Sequence, residues 1–259
     1  MTVTDSSPWL VFGAPRPGAP CLYCFPHGGG SATSYLSWSR LLPGVQVIGV
    51  QPPGHGDRIR EAPWSRMTDL VDALVAEIDP VQPYAFFGHS LGGLVAYEVA
   101  RRLRDDGRRT PDHLFVSANP APDLPRLAPP ILHLPDAELI AEVSRLHGGI
   151  PDEILSDPQL VRLAARPLRA DYAIVETYRW RPGLPLPCPV SVLAGTDDTI
   201  SESEMRAWQR HTERRLRMRW FPGGHFYLQQ ERRSVLRTLS RLLRDTFRGT
   251  QVEQNPARR

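Results

Sequence analysis

Lysine is absent from this chain, so all 31 of its basic side chains are arginine. This absence excludes a catalytic lysine, a Schiff base and the phosphate-binding lysine of a P-loop. No apolar run reaches the ~18 residues that a transmembrane helix needs. The start of the chain also lacks the basic and apolar regions of a signal peptide. We therefore expect a cytoplasmic protein that has no membrane partner.

Cysteine is also scarce: there are three, of which Cys21 and Cys24 form a C-x-x-C spacing. Both lie in the apolar run 21–25, which is typical of a buried strand. Side chains at positions i and i+3 of a strand point to opposite faces of the sheet, so we expect buried thiols rather than a metal or redox site. The net charge of +3, with a pI of about 9.0, is too diffuse to indicate nucleic-acid binding.

Short apolar runs alternate with amphipathic stretches along most of the 259 residues, a length that fits one domain. Apolar strands separated by helices predict an α/β fold, a mostly parallel sheet with helices on both faces and sites at the carboxyl ends of the strands. The predicted strands are 21–25, 45–50, 84–87, 114–118, 190–194 and 216–221. The predicted helices beside them are 33–42, 68–78, 91–106, 203–212 and 228–247.

Residues 119–189 break this alternation. They carry helical patterns at 136–146 and 157–178 but no strand pattern, and they are longer than one crossover helix requires. We interpret residues from about 130 to 180 as a helical lid inserted over the strand ends. A pair of ordinary crossover helices with long loops is the alternative. The polar tail 251–259 is expected to be disordered.

The strongest motif surrounds a serine. Residues 88–92 read Gly-His-Ser-Leu-Gly, directly after the predicted strand 84–87 and at the start of the predicted helix 91–106. This is the G-x-S-x-G nucleophile elbow in the strand–turn–helix context that it requires. Such a turn raises the serine hydroxyl above the sheet, beside the N–H groups of a helix start. The motif therefore predicts that Ser90 is a nucleophile.

A serine nucleophile needs a base and an orienting acid, which follow it in the α/β-hydrolase chain order as the acid and then the histidine. His225 follows the last predicted strand and is the predicted base. Asp197 and Asp198 both follow the strand 190–194. We favour Asp198, with Asp197 as the fallback; adjacent side chains diverge, so only one of the two can reach the ring. The other acid position, after the strand 114–118, offers Asn119, with Asp123 beyond it as a weaker candidate.

Two backbone N–H groups are predicted to form an oxyanion hole. One belongs to Leu91, the residue after the nucleophile. The second is expected from the loop after the strand 21–25, where residues 27–30 read His-Gly-Gly-Gly. We assign the N–H of Gly28, because glycine lets a backbone approach a substrate closely.

Taken together, these motifs resemble those of the type II thioesterases of polyketide and nonribosomal peptide synthesis. The elbow is common to α/β-hydrolases, whereas the P-x-G-x-x-D-R loop at 52–58 and the Leu-Arg-Ala-Asp-Tyr sequence at 168–172 are more specific. In that family the acid is the third residue after the glycine that ends its strand, which is Asp198 here. Alanine often stands where this chain has Gly28, a difference that keeps the N–H. The resembling segments are 25–29, 50–58, 87–93, 148–151, 168–172 and 223–226.

The resemblance implies an α/β-hydrolase fold and an editing hydrolase. Such an enzyme removes aberrant or stalled acyl groups from the phosphopantetheine arm of an acyl or peptidyl carrier protein. Ser90 would attack the thioester, His225 would transfer the proton, and Gly28 and Leu91 would hold the oxyanion. The expected enzyme is a monomer that needs neither a metal nor an organic cofactor.

Two other functions stay open at this point. A small-molecule carboxylesterase or lipase could use the same triad, because the H-G-G-G sequence also occurs in those enzymes. A non-catalytic binding protein is disfavoured by the complete set of Ser90, Asp198 and His225.

Two further expectations concern the substrate. The apolar lid positions Leu139, Ile140, Val143 and Leu146 could line an acyl tunnel, with packing against the domain as the alternative. The arginine-rich stretches 101–109, 206–219 and 232–244 favour an acidic carrier protein that docks near the lid, although most of these arginines are expected on solvated helix faces.

Overall fold

The computed structural model describes residues 7–80, 82–125 and 129–254, with side chains described as far as residue 249. These residues form a seven-stranded sheet with the strand order β1-β3-β2-β4-β5-β6-β7. Strands β2 to β7 are parallel, and β1 joins β3 antiparallel at one edge. The strands are β1 (Leu10–Phe12), β2 (Cys21–Phe25), β3 (Gln46–Val50), β4 (Tyr84–His89), β5 (His113–Ser117), β6 (Val190–Gly195) and β7 (Arg217–Phe221).

The predicted mostly parallel sheet is confirmed, and its six predicted strands form β2 to β7 with ends that agree within two residues. Every residue of β3, β4, β5 and β6 is buried, because parallel strands are covered on both faces. The sequence pattern does not predict β1. Three residues are too few to show a period, and this strand is defined only by pairings such as Leu10 with Val50.

Helices cover both faces of the sheet: α2 (Met67–Glu77) and α3 (Leu91–Asp105) lie on one face, and α1 (Thr33–Leu36) and α9 (Arg232–Gln254) lie on the other. The predicted helix 228–247 is interrupted at Glu231, and α9 then continues to Gln254. Residues 251–254 of the predicted disordered tail are therefore helical, and 255–259 lie outside the described residues.

Among the described helices none is long and apolar enough to cross a membrane. The helices are α1 (Thr33–Leu36), α2 (Met67–Glu77), α3 (Leu91–Asp105), α4 (Asp136–His147), α5 (Asp152–Ser156), α6 (Pro158–Thr177), α7 (Glu202–Arg206), α8 (Tyr227–Gln230) and α9 (Arg232–Gln254).

The alternation of side chains along each strand divides the apolar residues between two cores. In β2, Tyr23 and Phe25 enter one core, whereas Leu22 and Cys24 enter the other. Cys21 packs against the first core, so the two thiols of the C-x-x-C spacing lie on opposite faces of the sheet. Burial raises the pKa of Cys21 to about 11, which leaves this thiol protonated at neutral pH.

The segment between β5 and β6 carries three helices, α4, α5 and α6, which we call the helical insertion. Its helices α4 and α6 share an apolar core of their own, in which Leu139, Ile140 and Val143 pack with Leu168. The prediction that these α4 side chains line an acyl tunnel is therefore wrong for all three, because the facing helix covers them. Near its end, α6 joins the main core through Ile174.

The first residue of β5 is a fully buried histidine. The ring nitrogens of His113 lie 2.8 Å from Thr246 Oγ1 on α9 and 2.9 Å from Ser191 Oγ on β6, and the ring stacks on Phe115. Hydroxyl groups both donate and accept hydrogen bonds, so they satisfy a neutral imidazole at both nitrogens. Burial, followed by the charge of Arg217, lowers the pKa of His113 from 6.5 to about 3.

This burial makes the stability of the fold depend on pH. The unfolded His113 binds a proton below about pH 6.5, whereas the folded ring stays neutral until about pH 3. The contribution of His113 to the free energy of unfolding is therefore complete above pH 6.5 and is lost as the pH falls toward 3. We expect His113→Gln to reduce the slope of unfolding free energy against pH by about 1.4 kcal/mol per pH unit between roughly pH 4 and 6. Urea unfolding at several pH values measures this slope, and equal slopes for the two proteins would contradict the assignment.

Candidate active site

Ser90 stands at the tight turn between β4 and α3, with φ of 52° and ψ of −124°. Its N–H donates to Ser117 O at 2.8 Å, and its carbonyl accepts from Asn119 Nδ2 at 2.9 Å. The flanking glycines allow this backbone contact: a Cβ on Gly88 would lie 2.1 Å from Gly92 O, and one on Gly92 would lie 2.2 Å from Phe25 O. The predicted elbow is therefore present, and it has a supporting residue, Asn119, that the motif alone does not reveal.

His225 follows β7 and is bonded to the acid favoured from the sequence. Its Nδ1 lies 3.1 Å from Asp198 Oδ2 and 3.3 Å from Oδ1, and the Asp198 side chain is 2% exposed. Burial alone would raise the pKa of Asp198, but the hydrogen bond from His225 and the charge of that ring outweigh burial and lower the pKa. The carboxylate is therefore kept ionised and can accept a hydrogen bond from the N–H at Nδ1 of His225.

The two competing acids lie elsewhere. Asp197 is exposed and bonds to Thr196 Oγ1. Asp123 accepts from Arg210, and its Oδ1 lies 2.8 Å from His211 Nε2. Of the three carboxylates considered, Asp198 is the one in contact with His225.

The Ser90 hydroxyl makes no hydrogen bond to the His225 ring within the described residues. In free enzymes this contact is often long, and it tightens when substrate binds. The residue before Ser90 does contact the base, since the ring of His89 lies 5.2 Å from the His225 ring between centroids.

Three further imidazoles surround this pair. The His147 ring, at the end of α4, lies 4.5 Å from the His225 ring, and the His27 ring lies 5.9 Å from that of His89. Burial, followed by the charge of His225, lowers the pKa of His27 and of His147 to about 4 and places that of His89 well below its usual range. All three rings are therefore neutral at neutral pH. No sequence signal identifies His147, because only the fold of the insertion brings α4 over the site.

The predicted oxyanion donors stand on two adjacent segments. Leu91 is the first residue of α3, and Gly28 lies in the loop after β2. Within the described part of the chain neither N–H has a hydrogen-bond acceptor, whereas the next donor along the loop, the N–H of Gly29, is bonded to Asp171 Oδ2 at 2.7 Å. The two donors assigned from the sequence are thus the ones left available for a ligand.

A cavity of about 750 Å³ lies beneath α6, at the edge of this cluster. Its lining includes His147 and Leu146 from α4, Val175 from α6, and Thr199, which follows Asp198. Of the four residues proposed from the sequence, Leu146 is the one that lines this cavity. Among the described residues no group of three or more His, Cys, Asp or Glu side chains could hold a metal ion.

Comparison with known proteins agrees with this geometry. A family model described as "Thioesterase domain" matches residues 20–243. Thioesterase PikA5 of Streptomyces venezuelae is 38% identical over 244 residues, which cover 91% of this chain and 85% of that protein.

Two solved structures extend the comparison. The type II thioesterase BorB from the borrelidin biosynthetic cluster is 40% identical, with a TM-score of 0.82 and coverage of 92% of this chain and 98% of that one. YbtT, a type II thioesterase from the Yersiniabactin NRPS/PKS biosynthetic pathway, is 28% identical, with a TM-score of 0.80 and coverage of 92% and 99%. The sequence matches, the sheet topology and the elbow therefore show that this chain belongs to the thioesterase-domain family and has the α/β-hydrolase fold.

Proposed function

We propose that the protein hydrolyses acyl thioesters carried on the phosphopantetheine arm of polyketide or nonribosomal peptide carrier proteins, and so removes aberrant or stalled acyl groups. The observation that carries the proposal is the Asp198–His225 pair, together with the elbow serine, in a chain that belongs to a thioesterase family. The relatives BorB and YbtT, named as type II thioesterases of biosynthetic pathways, support the choice of substrate.

In the proposed acylation step, Ser90 Oγ attacks the thioester carbonyl carbon while His225 Nε2 accepts the hydroxyl proton. The N–H groups of Gly28 and Leu91 hold the oxyanion that forms. When the C–S bond breaks, His225 returns the proton to the departing thiolate. The Asp198 carboxylate fixes the ring through Nδ1 and stabilises the imidazolium.

Deacylation repeats these roles with water. His225 Nε2 takes a proton from the water that attacks the acyl-Ser90 ester, the C–O bond to Ser90 breaks, and the proton returns to Ser90 Oγ as the carboxylic acid leaves. The neighbouring rings support this cycle, because His27, His89 and His147 are neutral and place no cation beside the imidazolium.

We further propose that the helical insertion, from about 130 to 180 within a single α/β-hydrolase domain, acts as a lid. The cavity beneath α6 would hold the acyl group, because apolar side chains such as Leu146 and Val175 line it and His147 joins it to His225. Ligand cavities commonly have volumes of ~300–1,000 Å³, a range that includes this one.

The carrier protein is proposed to dock on the insertion side of the molecule. Several arginines of the stretches named above are neutralised, as in the ion pairs of Arg101 with Glu98 and of Arg206 with Glu202. Others, including Arg215, line a groove of about 1000 Å³ beside Pro111 and Pro189. Those prolines precede β5 and β6, so the groove lies at the amino-terminal ends of the strands, whereas Ser90 follows the carboxyl-terminal end of β4. A carrier bound there would face the wrong end of the strands.

Removal of the proposed nucleophile is the first test. We expect Ser90→Ala to abolish turnover of an acyl-carrier substrate, because loss of the nucleophile in a serine protease costs ~10⁶-fold. Fluorophosphonate should label the wild-type protein once and leave the variant unlabelled. Full labelling of the variant, or more than a few per cent of wild-type activity, would reject Ser90.

The two adjacent aspartates offer a matched comparison. Asp198→Asn should lower kcat by about 10⁴-fold, as the corresponding change does in a serine protease, because the amide stabilises the wrong tautomer of His225. Asp197→Asn alters an exposed side chain and should leave kcat within about twofold. Single-turnover hydrolysis measures both, and a larger loss for Asp197→Asn would reverse the assignment.

Carrier recognition can be separated from thioester chemistry. We expect kcat/KM on an acyl-carrier protein to exceed that on the matching acyl-pantetheine and to fall as salt rises, because steering by charge is screened. The short thioester should respond little to salt. Intact-mass monitoring of the carrier gives the first rate, and a thiol reagent gives the second.

Arg215→Gln is the control for this experiment, because Arg215 lies in the groove at the opposite edge of the sheet, and it should change neither rate. Equal salt responses for the two substrates would count against docking by charge. Faster turnover of simple esters than of any carrier substrate would favour a carboxylesterase.

A further inference from the structure

Asp171 connects the helical insertion to the loop that carries Gly28. It lies on α6, is 6% exposed, and sits in the Leu-Arg-Ala-Asp-Tyr sequence that the triad leaves unexplained. Its Oδ2 accepts from the N–H of Gly29 at 2.7 Å and lies 2.9 Å from His55 Nε2. A single buried carboxylate oxygen therefore joins three segments: the insertion, the glycine loop and the loop after β3.

Both ring nitrogens of His55 face oxygen atoms in this arrangement. Its Nδ1 lies 2.9 Å from Pro53 O and its Nε2 lies 2.9 Å from Asp171 Oδ2. Both neighbours are oxygen acceptors, an arrangement that favours a proton on each ring nitrogen. Burial alone would lower the pKa of His55, but the hydrogen bond and charge of Asp171 outweigh it and raise the pKa. A charged bond of this kind is stronger than a neutral one.

The His55 loop is itself tied to the segment that follows the glycines. Gln51 Nε2 donates to His55 O, and Gln51 Oε1 accepts from the N–H of Ala32. Arg58 Nη1 donates to Gln51 O at 3.1 Å. Hydrogen bonds that do not involve Asp171 thus hold the His55 loop to the segment after the glycines. Asp171 adds the contact between these two loops and the insertion.

The fit between α6 and the glycine loop is close. A Cβ on Gly28 would lie 3.7 Å from Asp171 Cβ, and one on Gly29 would lie 3.0 Å from Leu168 Cγ. Gly29 also has φ of 74°, a conformation that favours glycine. Leu168 and Asp171 are three positions apart on a helix and share a face, so one face of α6 covers this loop.

We propose that Asp171 is a positioning residue for the oxyanion hole. Consecutive glycines leave the loop many backbone conformations, and the bond from Asp171 to the Gly29 N–H selects the one in which the preceding Gly28 N–H stays available for the substrate. Because Asp171 belongs to α6, the hole is complete only when the insertion is seated on the core. This inference rests on the proposed function, since it assigns a role in the same reaction.

Two substitutions of Asp171 test the proposal. Asp171→Ala removes both hydrogen bonds and should lower kcat by about 10²-fold, the effect of a small misplacement or of one lost oxyanion donor, with KM little changed. Asp171→Asn is close in shape and keeps an oxygen acceptor without the charge, so its loss should be intermediate. A purely structural role would lower the melting temperature without this separation of kcat from KM.

A spectroscopic measurement addresses the hole directly. An acyl-enzyme formed from a slowly hydrolysed, carbon-13-labelled acyl thioester gives an isotope-edited infrared carbonyl band. Weaker hydrogen bonding moves that band to higher frequency, so we expect an upward shift in Asp171→Ala and a smaller one in Asp171→Asn. Folded protein is verified by near-ultraviolet circular dichroism, and the Asn variant provides the test if the Ala variant does not fold.

Asp157→Asn is the matched control. Asp157 is another carboxylate of the insertion that accepts backbone N–H groups, from Gln159 at 2.7 Å and Leu160 at 3.4 Å, but it caps the start of α6 and those groups lie within the insertion. Its variant should keep the wild-type carbonyl band and kcat within about twofold. Unchanged kcat and carbonyl band in both Asp171 variants would overturn the inference while leaving the proposed function intact. Failure of the wild-type protein to form any acyl-enzyme would overturn both.

Discussion

The site depends on a backbone turn that only close glycine contact makes possible. Ser90 has a positive φ, a conformation that costs an L-residue ~1–3 kcal/mol unless its surroundings fix it. Here the surroundings do so through the bond to Ser117 O, the amide of Asn119 and the approach of Gly92 to Phe25 O. The same turn starts α3 and presents the N–H of Leu91. Serine position, helix start and one oxyanion donor therefore share a single structural cause.

Three His–Asp pairs occur in the described structure, and their surroundings give them different roles. In His211–Asp123 the carboxylate also binds Arg210, and the other ring nitrogen of His211 lies 2.8 Å from Tyr97 Oη. His55–Asp171 has oxygen acceptors at both ring nitrogens, so its imidazole has no free nitrogen with which to take up a proton. In His225–Asp198, by contrast, the carboxylate contacts Nδ1 and leaves Nε2 free for the proposed proton transfer. A contact between a histidine and an aspartate thus does not by itself identify a catalytic base. The base is the histidine whose second ring nitrogen is free to take up a proton.

Much of this arrangement could be predicted from the sequence, because apolar runs define the parallel strands and parallel strands bring their carboxyl ends to one edge. The elbow, His225 and an acid after β6 follow from that rule, whereas the position of Asp198 agrees with the family resemblance. Contacts between distant segments do not, since nothing local links Asp171 to Gly29 or places His147 on His225. The prediction that Leu139 lines an acyl tunnel is wrong for a related reason. Periodicity shows that this side chain is buried, but not which surface buries it.

The seating of α6 on the glycine loop constrains how such proteins can be recombined. A chimera that exchanges the helical insertion to alter acyl preference also exchanges the carboxylate at 171 and the apolar side chain at 168, whereas their partners Gly29 and His55 stay with the recipient. The unit that can be transplanted is therefore larger than the insertion. It includes the loops that follow β2 and β3, which are distant in the chain from the segment that is visibly inserted.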